Sequence, residues 1–163
     1  MPAVGALDAG LRLLGRRGHS RMELRTKLVQ RGYSESDVDA AVFRLGDLGY
    51  LNDPEFAEHH VRRRSPTRGP LALLGELAGR GVDRAVAAEA VARFGTDAQL
   101  VAATRLAERL YGKRGWAGYR EMLDSIGSRL LRRGFPPGIV LAACKSVWAE
   151  TREQREQAGA SAS

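Results

Sequence analysis

The chain is poor in the residues that staple, stack or span. One cysteine, Cys144, stands among 163 residues, so no internal disulfide can form and a reducing cytoplasm is the expected home. Aromatic residues make up only 6%. Leu, Val and Ala must then build the core, which suits helices better than sheets. No apolar run approaches the ~18 residues of a membrane span, and the N-terminus carries no signal-peptide pattern. No stretch alternates apolar and polar residues with β-branched enrichment, so no strand is expected. The three histidines are His19, His59 and His60. Glu55 and His59 fall at i, i+4, but two ligands without a cysteine cluster do not make a metal site. A Gly-rich phosphate loop is missing, and no nucleophile falls at a spacing that would bring a base beside it. Neither an enzyme nor a cofactor is expected.

Positive charge is what the sequence has in excess. The formal charge is +7 and the pI about 10.3, a balance that favours a polyanionic partner. The excess is spread along the chain: +2 over residues 1–64, +2 over 65–113 and +3 over 114–163. Lys27, Lys113 and Lys145 are the only lysines; the other basic residues are arginines.

Three stretches repeat one pattern: "LVQRGYSESDVDAAV" (Leu28 to Val42), "LAGRGVDRAVAAEAV" (Leu77 to Val91) and "LLRRGFPPGIVLAAC" (Leu130 to Cys144). Gly32, Gly81 and Gly134 align. Arg31, Arg80 and Arg133 precede them, and Tyr33, Val82 and Phe135 follow. Upstream, Leu24 and Leu28 match Leu73 and Leu77, then Ile126 and Leu130. Downstream, Val38, Ala41, Val42 and Leu45 match Ala87, Ala90, Val91 and Phe94, then Val140, Ala143, Cys144 and Val147. That is the i, i+3, i+4, i+7 stripe of an amphipathic helix, and it places Cys144 in the core. Each glycine ends one helix in a left-handed conformation before the next begins. The preceding arginine faces the negative end of the helix dipole. Ser34 is the expected N-cap of the next helix, Ser20 with Glu23 a capping box, and Pro136 and Pro137 fit a turn and first helical position.

A third helix leads each pair. The first carries Leu7, Leu11 and Leu14 on one stripe; the second starts at Asp53 as cap with Pro54 behind it; the third is "TDAQLVAATRLAERLYGKR". The expected fold is all-α, an elongated tandem array of three three-helix repeats with about nine helices. The expected boundaries are 1–50, 51–95 and 96–150, followed by a flexible tail over 151–163.

Two helices around a short turn also match the outline of a helix-turn-helix DNA reader. Against that, the second helix begins "SESD" in the first copy, where Glu35 and Asp37 would repel phosphate. In the third it begins "PPG", with no donors for base edges. Basic clusters lie elsewhere. The candidate partner contacts, chosen on charge, are Arg16, Arg17, Arg62, Arg63, Arg64, Arg68, Lys113, Arg114, Arg120 and Arg132. Trp116 and Tyr119 lie among the later ones, a mixture that could stack single-stranded DNA.

The stretch "DLGYLNDPEFAEHHVRRR" (Asp47 to Arg64), taken with "RGPLALLGELAGRGV" (Arg68 to Val82) and "RLLRRGF" (Arg129 to Phe135), resembles the RecX family of recombination regulators. The motif residues are Gly49, Tyr50, Leu51, Asn52, Asp53, Phe56, Ala57, Arg64 and Gly69, and the resemblance covers residues 6–150. His60 stands where the family often has Tyr. The resemblance implies a monomeric, cytoplasmic, non-enzymatic modulator of the RecA recombinase in homologous recombination, DNA repair and the SOS response. It would bind the RecA filament with its single-stranded DNA, and double-stranded DNA as well. It would block filament extension and lower ATPase, strand-exchange and coprotease activities. A stand-alone helix-turn-helix-like DNA-binding module is the other reading.

Overall fold

The computed structural model describes residues 4–162; residues 1–3 of the first expected repeat and Ser163 of the expected tail lie outside them. The helices run in order α1 (Ala6–Leu14), α2 (Arg21–Gln30), α3 (Glu35–Asp47), α4 (Asp53–Arg64), α5 (Pro70–Gly79), α6 (Arg84–Ala92), α7 (Thr96–Tyr111), α8 (Tyr119–Met122), α9 (Ser128–Arg132) and α10 (Pro137–Ser161). A π turn, Leu123–Gly127, joins α8 to α9 with right-handed helical backbone at both junctions. The ten labels therefore describe nine helical rods, and no strand occurs among the described residues. The all-α helical repeat expected from the sequence is the observed fold.

The chain divides into two compact units. One holds residues up to Val61 together with Leu74–Val91; the other holds Arg62–Leu73 and everything from Ala92 onward. In the first, Ala9, Leu13, Leu24, Leu28, Val38, Leu45 and Leu51 form a buried cluster where α1, α2 and α3 meet. In the second, α10 lies along α7, and Leu106, Met122, Ile126, Leu130, Phe135 and Cys144 are buried. Cys144 is a free thiol that burial raises to a pKa of about 11, as its core position requires.

The three glycines behave alike. Gly32, Gly81 and Gly134 have φ of 89°, 73° and 89°. The amide after each donates back to the first leucine of its motif: Tyr33 to Leu28, Val82 to Leu77 and Phe135 to Leu130, at 3.3, 3.1 and 3.2 Å. This six-to-one bond closes a Schellman turn. The caps also form. Ser20 and Glu23 make the full capping box, Ser34 accepts from the Asp37 amide, and Pro137 opens α10.

Three local expectations need correction. Asn52, not Asp53, caps α4, because its side-chain oxygen accepts from the Glu55 amide at 3.0 Å. The Asp53 carboxylate instead accepts the orphan amide of Arg21 at the start of α2, 2.9 Å away. On α1 the buried face is Ala6, Ala9, Gly10 and Leu13, while Leu11 is exposed. Small residues face inward because Leu45 approaches closely: a Cβ on Gly10 would lie 2.7 Å from its Cδ1. Finally, the segment after residue 150 is helical to Ser161. Its composition of Glu, Gln, Arg and Ala favours helix, and Arg152 pairs with Glu156 one turn on at 3.2 Å.

Each of the later two turns also packs against the middle helix of the preceding copy. Within the first unit, the Ser20 hydroxyl donates to the Arg80 carbonyl at 2.5 Å, Arg80 Nη1 lies 2.9 Å from Glu23 Oε1, and a Cβ on Gly81 would strike Met22. Within the second, the Gly69 amide donates to the Arg133 carbonyl at 2.8 Å and the Leu71 amide to Gly134 at 3.1 Å. Arg133 Nη1 reaches the Thr67 carbonyl at 3.4 Å. A Cβ on Gly134 would meet Ala72, and one on Gly69 would meet the Gly134 backbone. The Gly32 turn carries no such neighbour: nothing lies within 4 Å of a Cβ placed there.

Candidate interaction surface

Helix ends place the charge-selected residues. Arg16 and Arg17 follow α1 in the first unit. Arg62, Arg63 and Arg64 finish α4, and Arg68 precedes α5. Lys113 and Arg114 lie between α7 and α8, Arg120 in α8, and Arg132 closes α9. The second unit thus holds eight of the ten candidates. Arg16, Arg17, Arg62, Arg63, Lys113, Arg114, Arg120 and Arg132 are exposed, while Arg64 and Arg68 are half-buried.

Their local partners differ. Arg17 Nη1 donates to the Gly18 carbonyl at 2.8 Å and lies 3.3 Å from Glu23 Oε2. Glu23 therefore sits between Arg17 and Arg80. Burial pushes its carboxyl up, but the Arg17 hydrogen bond and charge, the Ser20 amide and Arg80 outweigh burial and hold it below the ordinary value. Beside it, His19 is buried and its Nδ1 lies 2.9 Å from the Arg17 carbonyl. Burial first, and then the Arg17 charge, lower its pKa. Glu23 and the turn arginine Arg80 are thus structural anchors.

Arg114 is held differently. Its guanidinium packs over the Trp116 ring, 4.6 Å from the centroid, and reaches Glu121 at 3.6 Å across exposed surface. Trp116 itself is buried, and its indole N–H donates to the Tyr111 carbonyl at 3.3 Å. The ring is committed to the core and offers no face for a base. Lys113, Arg114 and Arg120 remain as an exposed basic group without an exposed tryptophan beside them.

The histidines separate clearly. His59 is exposed. His60 is buried against Phe56, and its Nε2 lies 2.7 Å from Glu76 Oε2. This polar pair occupies part of the first unit's interior. No group of three or more metal-type ligands occurs among the described residues, and no helix there is long and apolar enough to cross a membrane.

Charge clustering passes over two residues. Arg105 and Arg109 stand one turn apart on α7, exposed, beside the half-exposed Val101. They are separated in sequence by small and apolar residues and one glutamate, so no run marks them. Their i, i+4 spacing is the available signal.

Comparison with known proteins places this arrangement. The family model described as RecX, first three-helix domain, matches residues 6–45, from the start of α1 through most of α3. The chain is 34% identical to the regulatory protein RecX of Legionella pneumophila (strain Corby), covering 87% of this chain and 94% of that one. It is 35% identical to the regulatory protein RecX of Thermus thermophilus, covering 93% and 95%. The crystal structure of RecX from Lactobacillus salivarius superposes with a TM-score of 0.80 at 26% identity, covering 87% and 94%. The similarity runs through all three copies of the helix–turn–helix pattern, and the chain belongs to the RecX family.

Proposed function

We propose that this protein is a non-enzymatic regulator of the RecA recombinase that binds the recombinase filament on DNA and obstructs it. The observation that carries this reading is family membership across nearly the full length of relatives named as regulatory proteins. The exposed arginines and lysine at helix ends fit a nucleoprotein partner, because a filament on DNA presents both phosphate and protein surface. The three repeats, over 1–50, 51–95 and 96–150, act as linked modules whose weak contacts sum through effective concentration. A monomer working in the cytoplasm suffices for this role. Bound protein competes with incoming duplex and hinders protomer addition, which lowers ATPase, strand-exchange and coprotease activities together.

The test is DNA-dependent ATP hydrolysis by the cognate recombinase, titrated with this protein. Substoichiometric protein should slow filament growth and lower hydrolysis. Unchanged hydrolysis and strand exchange at saturation, with binding to naked DNA intact, would instead identify a plain DNA-binding module.

A further inference from the structure

A groove of about 550 Å³ lies beside α7, wholly within the second unit. Phe94, Ala98, Val101 and Ala102 line its apolar part, Ser65 and Pro66 of the α4–α5 connection add the facing part, and Arg105 and Arg109 line it farther along α7. Val101 is 50% exposed on a helix whose neighbouring Ala102, Ala103, Leu106 and Ala107 are buried. Among the described residues no carboxylate pairs with Arg105 or Arg109. Asp97 and Glu108 are exposed on the same helix, but neither lines the groove.

We propose that this groove docks a protein segment carrying an apolar residue followed by two carboxylates about one helical turn apart. The charge complement comes from Arg105 and Arg109, which at i, i+4 stand roughly 6 Å apart along α7. Each guanidinium presents a planar fork that matches a carboxylate. The apolar anchor covers Val101 and packs between Ala98 and Pro66, where water gains nothing. Arg62 and Arg63, which closely precede Ser65 in sequence, strengthen the local positive field that draws an acidic segment in. A single-stranded nucleic acid suits the groove less well. Phe94 is only 7% exposed, so no aromatic face is open for stacking, and a phosphate backbone would leave Val101 uncovered. The proposal stands on this groove alone and does not depend on which recombinase is regulated.

Fluorescence anisotropy with the full chain tests it using three labelled probes: the peptide LFDEDE, its counterpart LFKRKR, and an oligothymidylate. The acidic peptide should bind and the basic one should not. Arg105→Ser with Arg109→Ser should weaken the acidic peptide by at least about tenfold, as loss of anchor residues does, with oligothymidylate binding retained. Val101→Glu, at an exposed site that leaves the fold intact, should do the same by repelling the carboxylates. Failure of the acidic peptide to bind, or binding unchanged in both variants, overturns the proposal. A loss confined to oligothymidylate also overturns it and makes the groove a nucleic-acid site.

Discussion

Gly32 and Gly134 share one backbone conformation and differ in what surrounds them. At Gly32 an added methyl meets open space, so Gly32→Ala should cost only the left-handed backbone penalty, about 1 kcal/mol. At Gly134 the same methyl meets the backbone of Ala72, and overpacking adds about 1–3 kcal/mol to that penalty. Urea titration of the two variants should separate them, and equal midpoints would contradict the docked turn. Charge at the other docked turn has its own signature. Glu23 has a folded pKa below its unfolded value, so its contribution is present above about pH 5 and is lost as pH falls through the folded pKa. The His19 pKa is also lowered, so protonating the ring opposes the fold, and stability begins to fall once pH drops below the ordinary value of 6.5. Thermal melts from pH 8 down should therefore fall in two stages, and Glu23→Gln should flatten the lower one. The turn glycines are legible in the sequence because Arg-Gly-apolar recurs. Their partners are not, since Ser20 and Arg80 stand 60 residues apart and no local pattern connects them.

At the level of elements, periodicity finds the helices and misjudges one face and one end. α1 turns Ala9 and Gly10 inward although Leu11 is the larger hydrophobe. The rule that the largest apolar residues face the core yields here to how closely Leu45 approaches, a quantity set by α3 rather than by α1. At the other terminus the apolar stripe stops after Trp148, but the helix does not. Propensity and the Arg152–Glu156 pair continue it without a core to lean on. Every described residue beyond Thr151 is exposed. A chain ended after Thr151 should thus keep its stability to within about 0.5 kcal/mol, while its far-ultraviolet helical signal drops. A large fall in melting temperature would show that this segment packs on something. The third middle helix has a further peculiarity. Its π turn shifts the register between α8 and α9, and the Ser128 hydroxyl donates to the Asp124 carbonyl at 2.5 Å, the i−4 back-bond open to a helical serine.

For the whole molecule, the repeat count follows directly from three aligned glycines, while the partner surface is read from charge alone, because exposed arginines carry no periodic pattern. The exposed members most suited to a test are Arg63, Lys113 and Arg120, whose removal disturbs no core. If they meet single-stranded phosphates, the triple Ala variant should bind the recombinase filament more weakly. The slope of log K against log salt should then fall by about 0.7 for each phosphate no longer neutralised. An unchanged slope in a folded variant would remove these residues from the interface. Cutting the chain at Thr96 is a poorer test of modularity, because Arg62–Leu73 belongs to the same compact unit as the third repeat, and the cut would strip its cover.

The docked turns also bear on how the protein comes off the ribosome. The first repeat can gather its leucines as soon as residue 51 has emerged, yet the hydroxyl of Ser20 must wait for the carbonyl of Arg80. The amide of Gly69 waits in turn for Arg133. The first and second repeats are therefore each completed by the one that follows. A nascent chain of which only residues 1–51 have emerged should expose a helix start that a chain emerged as far as residue 95 has already sealed.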